Sequence, residues 1–171
     1  MPKFFMTEAA SAFWDFSLRF YARPGVAAVC LLLQDGGGAD VNVVLYLLFL
    51  AAQNRSLDDA AVARLDAATG VWRDEVVRPL RTARRHLKNP AAPYDGQAAA
   101  ELRSEIKRSE LAAERIEQLT IERLFPAATT GVAAATPADA ARASLAAYDH
   151  LRGGLPAAAV AQLLELFNAQ S

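Results

Sequence analysis

The chain has 171 residues, 53% of them hydrophobic and 22% charged, with 18 Lys and Arg against 19 Asp and Glu for a formal net charge of -1. That size suits one domain with a sizeable core, and the balanced charge excludes any global pull toward nucleic acid or acidic lipid, so anion binding needs a local patch. The single cysteine, Cys30, excludes an intrachain disulfide; among Val29, Leu31, Leu32 and Leu33 it reads as a buried, inert thiol suited to a reducing cytoplasm.

In chain order, residues 1–8 hold one lysine, a brief apolar run and an acid, so no signal peptide is expected. A first helix is expected from a cap at Thr7 to about Tyr21. Its polar stripe is Glu8, Ser11, Asp15 and Arg19, and Phe13, Trp14, Phe16, Leu18, Phe20 and Tyr21 surround the rest. Acids match bases on that stripe, which favours a core face over a membrane-surface helix rich in Lys and Arg. Pro24 suits the first turn of a second helix, which should stop at Gly36, Gly37 and Gly38. Those glycines lack the preceding strand and the Gly-Lys-Ser/Thr sequence of a phosphate-cradling loop and read as a flexible turn. Asp40 is expected to cap a third helix, and after Asn42 residues 43–52 are all apolar. This run is well short of the roughly 20 residues that span a bilayer. Helices two and three therefore read as a buried hairpin, in which Asp40 and Asn42 must find partners, since an unpaired buried polar group costs roughly 1 to 3 kcal/mol.

Ser56 and Asp59 resemble a capping box that opens a helix with Val62, Leu65 and Ala68 inward and closes at Gly70. The helical pattern from Val71 to Lys88 is interrupted at Pro79, which should kink it or begin its second half. Residues 89–96 form the clearest linker. A long helix is expected from about Gln97 to Phe125, with Leu102, Ile106, Ala113, Ile116, Thr120 and Leu124 inward and Pro126 at its end. Residues 127–135 read as loop, Thr136-Pro137 as cap and first turn, Gly153-Gly154 as a stop, and Pro156 to Asn168 as the last helix. No alternating strand pattern appears. The expectation is an all-α, single-domain multi-helix bundle of about seven or eight helices. Residues 1–125 form its core domain, and 126–171 an alanine-rich C-terminal hairpin packed on the core or on a partner.

Two charged stripes carry what chemistry there is. Arg78, Arg81, Arg85 and Lys88 share one face of their helix, and arginine forks suit phosphate or carboxylate. A solvated or salt-bridged helix face is the competing reading, and the absence of interleaved aromatics argues against single-stranded nucleic acid. Glu110, Glu114 and Glu117 form the second stripe. With Asp40 and Asn42 these acids are candidates for a polar pocket, and pairing with arginines of the preceding helix is the competing reading. No metal site or cofactor is expected, because His86 and His150 are far apart and no Glu-x-x-His pair exists. No nucleophile motif is present.

The strings Phe13-Trp14-Asp15-Phe16-Ser17-Leu18, Tyr21-Ala22-Arg23-Pro24-Gly25-Val26, Leu33-Gln34-Asp35 and Gly38-Ala39-Asp40-Val41-Asn42 come first. With Trp72-Arg73, Arg78-Pro79-Leu80-Arg81 and the glutamate series, they resemble a family of small helical proteobacterial proteins known only as a domain of unknown function. The resemblance covers roughly residues 11–125 and implies a bacterial, cytoplasmic helical protein with no assigned catalytic residues. The expected function is a non-enzymatic macromolecular interaction module, with a protein partner or a second copy meeting the basic stripe or the C-terminal hairpin. The alternative is a small-molecule binder or enzyme whose pocket is lined by Asp40, Asn42, Glu110, Glu114 and Glu117, with Arg81 or Arg85 holding an anionic ligand. RNA binding through the arginines is a third reading.

Overall fold

The computed structural model describes residues 11–169. Helix α1, Ala12–Tyr21, is capped by Ser11, whose Oγ accepts from the Trp14 amide at 2.9 Å; the expected start at Thr7 and Glu8 lies outside the described residues. Helix α2, Val26–Gly37, follows a bend of 100°. Pro24 belongs to that bend and precedes the helix, rather than occupying its first turn. Helix α3, Val41–Ala51, is capped as expected, with Asp40 Oδ1 accepting from the Asn42 amide at 2.9 Å. It is buried all round, since α1, α2, α6 and α7 surround it. Its partner α2 is only half-buried, leaving Leu31 and Leu32 outward.

The glycines ending α2 are not a flexible turn. A methyl group on Gly37 would stand 2.7 Å from Leu155 Cδ2 and 2.9 Å from Pro156 Cδ, so glycine lets the loop before the last helix lie directly on α2.

Helix α4, Asp59–Trp72, is capped by Asp58, which accepts from the Ala61 amide at 2.8 Å. Ser56 is not the cap; it belongs to a two-residue strand, β1 Arg55–Ser56, antiparallel to β2 Val132–Ala133. Arg55 fixes this small ladder by donating to the Thr130 and Gly131 carbonyls. Nor does α4 close at Gly70. It runs into a π turn, Arg73–Val77, and on into α5, Arg78–His86, so residues 59–86 make one bent rod. Pro79 explains the π turn: it has no N–H for the carbonyl four residues back, and its ring would strike that group. The wider turn, in which the Arg78 amide reaches the Arg73 carbonyl, absorbs the mismatch upstream.

Helix α6, Gly96–Leu124, is capped by Asp95. Its buried face is Glu110, Ala113, Glu117, Gln118 and Ile121. The expected face is corrected: Leu102, Ile116 and Leu124 are exposed to 48%, 39% and 49%. The polar face wins because every one of its charged groups meets a partner on α3 or α5, and the first half of α6 runs along α5 beyond the core.

Helices α7, Pro137–Arg152, and α8, Ala157–Asn168, pack on α2, α3 and α4. Leu145, Tyr148, Leu163 and Phe167 join Phe13, Phe20, Tyr46, Leu47 and Leu65 in one core. Phe20 and Phe167 meet edge to face at 6.2 Å, and Phe13 and Tyr46 at 5.0 Å. Burying each such side chain contributes about 1.5 to 3 kcal/mol. Among the described residues the fold is all-α, the β1–β2 ladder being its one departure from a strand-free chain. No single described helix is long and apolar enough to cross a membrane.

Candidate functional site

The charged residues of the sequence gather along α6 in two clusters. In the first, four elements meet around Asp40. Its amide donates to Tyr148 Oη at 2.8 Å, and its Oδ2 accepts from Arg73 Nη1 at 3.3 Å. The same Nη1 reaches Asp66 Oδ1 at 2.7 Å, and Arg152 lies 3.9 Å from the other Asp66 oxygen while donating to the Gly38 carbonyl at 2.6 Å. Asn42 Nδ2 donates to Glu117 Oε2, and Gln118 Nε2 donates to Asn42 Oδ1, each at 2.8 Å.

The Glu117 carboxyl interacts closely with the Asp40 carboxyl, and its second oxygen, Oε1, is buried with no other hydrogen-bond partner. Two ionised carboxylates cannot share such a contact at low cost, so Glu117, only 1% exposed, is the protonated partner. Burial first, then the Asp40 charge, push its carboxyl up to about 9. The charges then balance, with Arg73 and Arg152 opposite Asp40 and Asp66. Burial would lower the Arg73 value, but Asp40 and Asp66 outweigh it and raise the guanidinium above its ordinary range. Burial likewise raises the Tyr148 phenol.

The second cluster joins α5 to α6. Arg81 Nε donates to Glu110 at 3.0 Å and its Nη2 to Glu114 at 2.7 Å, while Arg84 donates twice to Glu110. Burial pushes the Glu110 carboxyl upward, yet the two guanidiniums together hold it below the usual range; at Glu114 burial prevails over Arg81 and the value rises. Trp72 Nε1 donates to the Ala113 carbonyl at 3.0 Å and ties the bent rod to the same helix.

The five pocket candidates therefore separate into two groups. Asp40, Asn42 and Glu117 enter the first, Glu110 and Glu114 the second, and all five are engaged by neighbouring side chains. Of the basic stripe, only Arg81 turns inward. Arg78 and Arg85 stay at the surface in single ion pairs with Asp74 at 2.8 Å and Asp35 at 2.9 Å, and Lys88 is exposed. The pairing of the glutamates with arginines of the preceding helix, the competing reading, is what Arg81 and Arg84 make; sequence reasoning missed Arg73, Asp66, Tyr148 and Arg152 as network members. The one available signal was the Trp72-Arg73 string. Among the described residues no group of three or more His, Cys, Asp or Glu is placed to hold a metal ion.

What remains open is the outer face of the α5/α6 arm. Helix α5 buries none of its residues. Pro79, Ala83 and Leu87 of α5 face Leu102 and Ile106 of α6 across a groove of about 740 Å³, with Asp74, Arg78 and His86 at its edges. A second groove, about 530 Å³, lies between β1 and α7 and is bordered by Asp58 and Asp59.

An all-α bundle whose polar interior closes on itself, and whose basic two-helix arm lies open, is the class that fold and site define. The chain belongs to a family described as proteins of unknown function, DUF2390, whose model matches residues 12–121. The match contains both clusters on α6 but ends before Tyr148 and Arg152, which the C-terminal helices supply. No curated protein and no solved structure gives a significant match.

Proposed function

We propose that this protein is a non-enzymatic interaction module that binds a protein partner through the α5/α6 arm. The observation that carries the reading is the arm itself: two amphipathic helices packed on each other, with no buried residue on α5 and an apolar stripe of α6 turned away from the core. A two-helix layer leaves one side of each helix without cover, and a third helix laid into such a groove is a recurrent recognition mode. The C-terminal hairpin, by contrast, is occupied by its own core. The acids that a small-molecule pocket would use are engaged by Arg73, Arg81, Arg84 and Asn42, which supports a binding surface over a reaction centre.

The test is a photo-crosslinking amino acid placed at Thr82, beside the groove, and at Gln162, exposed on α8, with the protein expressed in its native cells. A discrete crosslinked protein at Thr82, absent at Gln162 and lost with Ala83→Glu, is the expected result. Equal crosslinking at both positions, or a tightly held small molecule in native mass spectrometry without any Thr82 product, sinks the reading.

A further inference from the structure

We propose that the occupant of the α5/α6 groove is an amphipathic helix of a protein partner whose apolar stripe is flanked by acidic side chains. This rests on the arm being a binding surface and names the chemistry of what it binds.

The first support is charge. Residues 76–94 contain five Lys and Arg and not one Asp or Glu, in a chain that is otherwise acidic. Arg81 and Arg84 are turned to Glu110 and Glu114, but Arg78, at the groove's edge beside Asp74, and Arg85, seven residues on and outside the groove's lining, keep their guanidiniums at the surface with side chains 45% and 49% exposed. Their present partners, Asp74 and Asp35, are equally exposed. Such pairs contribute about 0 to 1 kcal/mol, so a partner carboxylate replaces them at little cost.

The second support is shape. Pro79, Ala83, Leu102 and Ile106 line a shallow, open apolar depression, which suits a helix read at i, i+3, i+4 and i+7. No Phe, Tyr or Trp lines it to stack a nucleotide base, and His86 at its edge is its one ring. A second copy docked arm on arm would set the two acid-free α5 segments against each other, and like charges oppose that arrangement.

The experiment uses the full chain and fluorescein-labelled synthetic helices that share one leucine stripe and differ only in flanking Glu, Gln or Lys. Anisotropy should show the Glu-flanked helix bound at least about tenfold tighter than the Gln-flanked one, a difference that narrows with salt. Arg78→Glu/Arg85→Glu should reverse the preference toward Lys, and Ala83→Glu should abolish binding of the Glu-flanked helix. All three positions are exposed, so an unchanged urea midpoint keeps these variants interpretable. Equal affinity for the Glu and Gln helices overturns the acidic class and leaves the groove as a binding surface. Binding of no helix overturns both, as does Ala83-dependent binding to phosphatidylserine vesicles in place of any peptide.

Discussion

Glu117 is the residue on which the pH behaviour of this fold turns. Folding raises its carboxyl from 4.5 to about 9, so the native state keeps a proton that the unfolded chain releases. The stability gained is complete below about pH 4.5 and disappears as the pH climbs toward 9. A urea midpoint that falls across this window is expected for the native sequence. Glu117→Gln retains an acceptor for Asn42 and a donor for Asp40 without a titrating proton. It should flatten the decline and exceed the native sequence at the alkaline end by about 2 kcal/mol or more, at ~1.4 kcal/mol per unit; midpoints that track the native protein at every pH would take the proton away from this site. Arg73→Met strands Asp40 and Asp66 in the core and should cost about 3 to 5 kcal/mol by urea unfolding. Asp40→Asn, which keeps the cap of α3, should cost less. The role of Asp40 was legible because a cap is local, one residue before an apolar run. Arg73 was not, because its partners lie 33 and 7 residues away in sequence and only the fold brings them together.

Elements obey the same division between local and distant causes. Caps at Asp40 and Thr136, the stop at Gly153 and the extent of α6 follow from nearest neighbours and were readable in the chain. The inward face of α6 was not, since an apolar stripe and a polar stripe compete for the core and the winner depends on guanidiniums and amides supplied by α3 and α5. Two glycines turn this into measurements. An alanine in a helix interior ordinarily stabilises by about 0.5 to 1 kcal/mol over glycine. Gly37→Ala should instead destabilise, because its methyl meets Leu155 and Pro156 closer than 3 Å. At Gly70 the added carbon would lie 3.3 Å from Nη2 of Arg73, whose guanidinium is fixed by three aspartates through Nη1 and Nε, so Gly70→Ala should show none of the usual gain. A thermal midpoint raised by either change would contradict the close approaches.

At the scale of the whole molecule, the family match ends at residue 121 while the core does not. Leu145, Tyr148, Leu163 and Phe167 are each at most 4% exposed within the same cluster as Phe13 and Tyr46. A chain cut after Phe125 should therefore lose its cooperative thermal transition rather than fold as a smaller bundle. Calorimetry decides: a sharp two-state peak from residues 1–125 would mean that the hairpin is an accessory. Charge is unevenly distributed at this scale as well, the acid-free segment 76–94 standing out from a chain with net charge -1, and this was visible in the sequence. Which of its arginines turn inward was not, because that depends on the phase the π turn imposes on α5.

The solitary thiol offers a clock for motions of the bundle. Cys30 is fully buried in α2, and burial pushes its thiol up to about 12, so it is both inaccessible and un-ionised in the closed state at neutral pH. Every molecule that reacts with a thiol reagent has first opened around α2. With no other cysteine in the chain, the labelling rate divided by the rate of an unfolded control reports the free energy of that opening, with no probe added to the protein.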